Sequence, residues 1–178
     1  MNSALAQRTL ASPVGLLRLI GDRFDDERGG VHGIYFPDHK PAPAVSGPEI
    51  DSVEGHPLLD RLAEELTAFF AGELRVFTVP LKPTGTPFQL SVWTALRAIP
   101  FGQTCSYVDV AHALGKPESV RAVATANARN PLSIVVPCHR VIGSDGALTG
   151  YAGGLKAKQF LLDLESRVAG TRRQPSLF

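Results

Sequence analysis

The sequence has little cysteine and lacks any long apolar run. Only two cysteines, Cys105 and Cys138, occur in 178 residues, which is too few for a disulfide framework. Neither belongs to a CxxC pair or to a cysteine and histidine cluster with zinc spacing, so no metal site is expected. No apolar run approaches the roughly 18 residues of a membrane helix, and the N-terminus lacks the order of a signal peptide. We therefore expect a cytoplasmic protein that does not contact a membrane.

Charge is unevenly divided along the chain, although the net charge is only +1. Residues 1–80 contain 7 Lys/Arg and 12 Asp/Glu, a balance of −5, whereas residues 81–178 contain 11 and 5, a balance of +6. A basic C-terminal half is typical of a surface that binds a polyanion such as nucleic acid. A merely solvated surface explains the same balance equally well.

The first half of the chain reads as a small α/β domain, residues 1–81. A Ser-Pro-Val-Gly turn at 12–15 predicts a hairpin within residues 9–20, and a second short strand is expected at 31–36. A proline-rich link at 37–48 precedes a predicted helix at 57–71 with apolar residues at helical spacing. Residues 76–81 are predicted to form a further strand after this helix. No catalytic grouping is visible here, so this domain is expected to support the other one.

The second half reads as mostly helical after a linker at residues 82–87. Its domain spans 88–166, and 167–178 reads as a loose tail. Helices are predicted at 88–99, 107–114 and 118–129. The last two are separated by Gly115-Lys116-Pro117, the outline of a winged helix-turn-helix whose second helix would enter a DNA groove. An ordinary pair of packing helices has the same outline. The whole chain is thus predicted to be α+β.

The segment Pro137-Cys138-His139-Arg140 is the strongest chemical signal in the sequence. It follows the apolar run 134–136, which predicts a buried strand with a thiol at its end. The thiolate is the nucleophilic form of cysteine, and a nearby imidazole or guanidinium can promote it. Free cysteine is often a buried core residue, but a proline, a histidine and an arginine are unusual core neighbours. We therefore interpret Cys138 as a reactive nucleophile.

A last helix is predicted at residues 155–166. Lys158 and Glu165 are seven residues apart, so they lie on one side of it, separated by roughly 10 Å at 1.5 Å per residue. One could then reach a substrate while the other reaches a catalytic histidine. An exposed face of salt-bridging residues is the simpler alternative.

Residues 134–142, Gly146 and the Gly-Tyr-Ala-Gly-Gly sequence at 150–154 together resemble the O6-alkylguanine-DNA alkyltransferase family. The similarity covers residues 88–165, and residues 1–80 match only in outline. The resemblance implies that Cys138 takes the alkyl group from O6-alkylguanine in double-stranded DNA and keeps it, so that each molecule acts once. It implies no cofactor and a monomer, and it leaves open cooperative binding on DNA and the repair of O4-alkylthymine.

The resemblance also implies catalytic roles. His139 would act as a base on Cys138 through a water molecule, and Glu165 would orient His139. Tyr107 would donate a hydrogen bond or a proton to the guanine, assisted by Lys158. Guanine leaves more easily when its developing negative charge is neutralised in this way.

Binding roles follow from the same resemblance. Chemistry on a base inside a duplex requires that the base be flipped out, and Arg121 would replace it in the stack. The second helix of the helix-turn-helix would bind the minor groove through Arg121 and the neighbouring Ala122, Thr125 and Ala126, and Tyr107 at the start of the first helix would also contact the DNA. Asn130 would support the turn before the nucleophile, and the pocket would be lined by Val141, Ala152 and Gly153.

Two other functions remain compatible with parts of this pattern. A non-enzymatic protein that binds alkylated DNA would not need the thiol. A cysteine hydrolase would need an oxyanion hole and would have no use for a helix-turn-helix. The combination of both features favours the alkyltransferase.

Overall fold

The computed structural model describes residues 5–23, 29–39, 51–52 and 55–171. Four strands form the N-terminal sheet in the order β3-β2-β1-β4, with β1 at Leu5–Ser12, β2 at Gly15–Asp22, β3 at Val31–Tyr35 and β4 at Asp51–Ser52. Strands β1 and β2 form the predicted hairpin, and Gly15 has the positive φ of 109° that its tight turn requires. Most of the predicted link at 37–48 lies outside the described residues.

Helix α1 covers one face of this sheet. It spans Pro57–Phe70, with His56 as its N-cap and proline in its first turn, where the missing N–H costs nothing. Its buried residues recur at helical spacing, as the sequence predicted: Leu58, Leu59, Leu62, Ala63, Leu66 and Phe69.

The predicted strand at residues 76–81 is wrong. Only Leu81 forms a bridge, which pairs it with Val31 of β3. Before it, the backbone N–H of Thr78 donates to the carboxylate of Glu65 on α1, at 2.8 Å. A helix side chain thus satisfies a backbone group that a sheet ladder would otherwise satisfy. Within the predicted linker, the N–H of Lys82 donates to the carbonyl of Val31, at 2.8 Å.

Three helices follow the linker. Helix α2 spans Pro87–Arg97, α3 spans Tyr107–Ala113 and α4 spans Val120–Ala128. Ser106 and Asp109 form the capping box at the start of α3. Residues Pro117–Ser119 form a 3-10 turn rather than the start of α4, so α4 is shorter than predicted. The order of α3, turn and α4 is consistent with the predicted helix-turn-helix.

The apolar run before Cys138 is not a strand, contrary to the prediction. Ile134 has a φ of 75°, which makes it the single non-glycine residue with positive φ in the described part of the chain. This conformation interrupts an extended backbone and costs of order 1–3 kcal/mol. Leu132 instead forms an isolated bridge with Ile34 of β3, and the N–H of Ile34 donates to the carbonyl of Pro131, at 2.8 Å. The N-terminal sheet therefore supports the segment that leads to the nucleophile.

The remaining elements close the structure around this segment. Strands β5, Cys105–Ser106, and β6, Val141–Ile142, pair in parallel, and helix α5 spans Gly154–Ala169. Helix α5 continues three residues beyond the predicted end, into the predicted tail, and the rest of that tail beyond Thr171 lies outside the described residues. One cluster of buried side chains contains residues of both halves, including Leu62, Phe69, Trp93, Leu132 and Leu161. The α+β class predicted from the sequence is confirmed.

No helix in the described part of the chain combines the length and the apolarity that crossing a bilayer requires.

Candidate active site

Cys138 begins a 3-10 turn, Cys138–Arg140, directly after the segment that β3 supports. It is buried, with 2% of its surface exposed, and its thiol accepts a hydrogen bond from Asn130 Nδ2 at 3.1 Å. Burial raises the pKa of the Cys138 thiol above its ordinary value, although the Asn130 hydrogen bond and the charge of Lys158 act in the opposite direction. The resting group is therefore a thiol that must lose its proton before it reacts.

Two asparagines hold the turn. Asn130 Nδ2 also donates to the carbonyl of Val136 at 2.8 Å, and its Oδ1 accepts from the N–H of Leu132 at 2.9 Å. Asn127 Nδ2 reaches the carbonyl of Cys138 at 3.4 Å. Asn130 thus lies where the sequence predicted, in the turn before the nucleophile, and its contact with the sulfur is an additional role.

His139 and Glu165 meet in the interior, as the sequence predicted. His139 Nε2 lies 2.7 Å from Glu165 Oε1, and both side chains are buried. A carboxylate only accepts, so Nε2 carries the ring proton and Nδ1 keeps its lone pair. Within the described residues, Nδ1 has no hydrogen-bond partner. Burial lowers the pKa of His139, partly offset by Glu165, so the ring is a neutral base with its free nitrogen available.

Glu165 is held in its charged form. Burial alone would raise the pKa of this carboxyl, but hydrogen bonds from His139 and Arg140 lower it to about 2. The backbone N–H of Gly102 adds a further hydrogen bond to Oε2 at 3.0 Å. The guanidinium of Arg140 donates to Glu165. It is therefore not directed at the thiol as the nearby positive charge that the sequence suggested.

Tyr107 and Lys158 are connected through Thr149, a residue that the sequence did not indicate. Tyr107 Oη lies 2.8 Å from Thr149 Oγ1, while Lys158 Nζ donates to the carbonyl of Thr149 at 3.1 Å and to that of Val141 at 2.6 Å. Burial raises the pKa of Tyr107, so its hydroxyl is a neutral donor. Lys158 and Glu165 are both buried, which excludes the alternative of an exposed salt-bridging face.

Helix α4 presents Arg121 to solvent beside Tyr107. Both residues line an open cavity of ≈ 580 Å³, together with Glu118, Val120 and Ala124. Ala122 and Thr125 are exposed on the same helix. Ala126 is buried and its carbonyl accepts a hydrogen bond from Trp93 Nε1 at 2.9 Å, so it does not belong to the exposed face, contrary to the prediction.

The wall beside the thiol is built by both halves of the chain. The ring of Tyr151 packs edge-on against Phe36, with centroids 5.4 Å apart, and lies 6.5 Å from the ring of His139. Gly153 lies so close to Phe36 that an added Cβ would come within 2.7 Å of the ring. Ala152 between them is buried. Burial and the nearby Cys138 and Glu165 raise the pKa of Tyr151 well above its ordinary value, so its hydroxyl stays neutral.

His39 makes stability depend on pH. Its ring packs against Tyr35 and Phe36, and burial lowers its pKa to about 4. As the pH falls, the imidazole of His39 is protonated in the unfolded chain before it is protonated in the folded protein. The contribution of neutral His39 to the free energy of unfolding is therefore complete above the ordinary pKa of 6.5 and is lost as the pH falls from 6.5 towards 4. The lowered pKa of His139 acts in the same direction.

We expect the free energy of unfolding to fall between about pH 6.5 and 4.5, with about 1 to 2 kcal/mol of the loss due to His39, because partial solvent access weakens the effect. Urea unfolding at several pH values measures this loss. In His39→Asn, an oxygen can accept from the N–H of Phe36 as Nδ1 does at 3.4 Å, and the pH dependence should become shallower. Substitution of the exposed His112 by asparagine is the control. An equal change in both variants would contradict the assignment.

Among the described residues, no group of three or more histidine, cysteine, aspartate or glutamate side chains could hold a metal ion.

Comparison with known proteins identifies the family. The model of the 6-O-methylguanine DNA methyltransferase DNA-binding domain matches residues 87–167. A methylated-DNA–protein-cysteine methyltransferase of Methanosarcina barkeri is 46% identical over 156 residues, which cover 88% of this chain and 94% of that protein. The constitutive enzyme of Bacillus subtilis is 54% identical over 110 residues, covering 61% of this chain and 67% of the relative.

A solved structure agrees with these relatives. The crystal structure of Mycobacterium tuberculosis OGT in complex with DNA superimposes with a TM-score of 0.81 at 39% identity, covering 92% of this chain and 94% of that one. The similarity thus extends over both halves of the chain. This protein belongs to the methylated-DNA–protein-cysteine methyltransferase family.

Proposed function

We propose that this protein repairs DNA by direct reversal, transferring the alkyl group of O6-alkylguanine in double-stranded DNA to Cys138. The observation that carries the proposal is the buried chain of contacts from Glu165 to His139, with His139 Nδ1 free and the Cys138 thiol in the adjacent position of the turn. The relatives are named for the same transfer. A protein that only binds alkylated DNA would not need this arrangement.

The reaction follows from these groups. The Cys138 proton passes to His139 Nδ1, directly or through a water molecule, and the sulfur lone pair attacks the alkyl carbon. The bond between that carbon and O6 breaks, its electrons remain on the guanine, and Tyr107 Oη donates a hydrogen bond or proton to the developing charge. A thioether forms on Cys138. Since a thioether has no easy leaving group, each molecule reacts once.

The burial of the Cys138 thiol supports base flipping. Cys138 is 2% exposed, so a base within a duplex stack cannot reach it. Arg121 and Tyr107 line the same open cavity, which supports Arg121 entering the stack while Tyr107 contacts the extruded nucleotide. We place the exposed face of α4, with Ala122 and Thr125, in the minor groove. A single copy contains all these groups, so the working unit is a monomer that would associate with the nucleoid when bound to DNA.

Mass spectrometry tests the transfer. We expect incubation with duplex DNA containing O6-methylguanine to add the mass of one methylene per molecule, saturating at one. Peptide mapping should place it on Cys138, with Cys105 unmodified as the internal control. Release of free product with repeated turnover, or modification of Cys105 alone, would contradict the proposal.

A further inference from the structure

Arg140 is buried and makes several hydrogen bonds, although the reaction described above gives it no role. Its Nε and Nη2 donate to Glu165 Oε2 and Oε1, each at 2.9 Å. Its Nη1 donates to the carbonyl of Ile99 at 2.6 Å. The fork of the guanidinium therefore matches both oxygens of the carboxylate, a geometry that a lysine cannot reproduce.

The turn after α2 completes this arrangement. The guanidinium of Arg140 lies over the ring of Phe101, 5.7 Å from its centroid, and Gly102 N–H donates to Glu165 Oε2 at 3.0 Å. Arg75 also lies over this ring, at 5.5 Å, but its own hydrogen bond goes to the carbonyl of Val168, at 3.1 Å. Arg75 thus shares the aromatic contact of Arg140 without its contact to Glu165.

The charge of Glu165 decides which nitrogen of His139 is free. A carboxylate must accept from Nε2–H, which leaves the lone pair on Nδ1. A protonated Glu165 would donate to Nε2 instead, so the neutral ring would carry its proton on Nδ1 and could not accept one from the thiol. Burial favours the protonated form of Glu165, and the groups that oppose it are His139, Arg140 and the Gly102 N–H. Of these, only Arg140 carries a permanent charge.

We propose that Arg140 is a positioning residue of the transfer reaction, whose guanidinium holds Glu165 as a carboxylate and thereby keeps His139 in the tautomer that can accept the thiol proton. The proposal rests on the function of Cys138 and His139 given above and adds to it the residue that sets their protonation. Other charged or titratable groups near this site are Cys138, Lys158, whose charge adds to burial in lowering the pKa of His139, and Tyr151, which stays neutral.

Single-turnover kinetics of Arg140→Met test this role, with Arg75→Met as the matched control, because both substitutions remove one positive charge beside Phe101. We expect methyl transfer near neutral pH to slow roughly tenfold to a hundredfold in Arg140→Met, a fraction of what a general base contributes. The acidic limb of its pH–rate profile should move to higher pH, because Glu165 gains a proton more easily without the guanidinium. Arg75→Met should stay within about twofold of the parent protein, since it leaves the carboxylate contacts intact.

Nitrogen NMR of protein with labelled histidine gives a second measurement that does not depend on transfer. We expect the parent protein and Arg75→Met to show His139 protonated on Nε2, and Arg140→Met to show the proton on Nδ1. An unchanged tautomer and an unchanged acidic limb in folded Arg140→Met would overturn the proposal, whatever its rate. Absence of transfer by the parent protein would instead contradict the proposed function, and the tautomer measurement would still test Arg140.

Discussion

Replacement of Cys138 by serine is expected to abolish alkyl transfer while DNA binding is retained. A serine hydroxyl ionises far less readily than a thiol and is a poorer nucleophile towards a saturated carbon. We expect the rate to fall by about 10⁴-fold or more, the scale seen when an enzyme loses its nucleophile. The fold should persist, because Asn130 Nδ2 can donate to the serine oxygen as it does to the sulfur. Transfer of a labelled methyl group from DNA to the protein measures the reaction, and a gel-shift titration measures DNA binding.

Cys105→Ser is the control for this substitution. Cys105 is half-buried in β5, and burial with the charge of Asp109 raises its pKa to about 11, so it is a poor nucleophile. This variant should transfer at the parent rate. If Cys138→Ser still accepted the methyl group and Cys105→Ser did not, the acceptor would be the other cysteine.

Arg121→Ala is expected to slow repair in duplex DNA far more than reaction with free O6-methylguanine base. Flipping a paired base costs a few kcal/mol, and a side chain that fills the vacated stack recovers part of that cost. A loss of about one to two kcal/mol slows the duplex reaction roughly fivefold to thirtyfold. The free base needs no flipping, so its rate should change little. The measurement is the ratio of the rate on duplex DNA to the rate on the free base, determined with the same protein preparation.

Arg129→Ala provides a matched control because Arg129 is exposed at the other end of α4 and its removal changes the net charge equally. It should lower duplex affinity only modestly and leave the ratio of the two rates unchanged. If both variants altered the duplex reaction alike, Arg121 would contribute general electrostatic attraction and would not replace the base.

The sequence predicted the elements that local signals define. The hairpin turn at 12–15, the apolar spacing of α1 and the capping box of Ser106 and Asp109 all appear in the structure. The prediction failed where residues distant in the sequence determine the backbone conformation. Residues 76–81 are predicted as a strand, but Glu65 of α1 binds the backbone of Thr78 in place of a neighbouring strand. The run 134–136 has strand-forming residues, yet the positive φ of Ile134 turns it towards Cys138.

The candidate site was predictable where the family motif covers it and not where the fold brings other residues to it. The contact between His139 and Glu165 followed from the resemblance, and the structure places them 2.7 Å apart. Thr149 and Tyr151 were missed because their partners are distant in the chain. Arg140 was noticed as a charge near the thiol, but its direction towards Glu165 depends on Phe101 and Ile99, 39 and 41 residues earlier, and no local pattern reveals it.

The pairing of Ile34 with the Pro131–Leu132 segment has a consequence for the timing of folding. These partners are roughly one hundred residues apart, and contacts of such separation form late because a long loop must first be closed. Glu165 is synthesised after Cys138, so the nascent chain exposes its thiol before the groups that activate it are in place. We therefore expect Cys138 to become reactive only once these distant parts of the chain have come together.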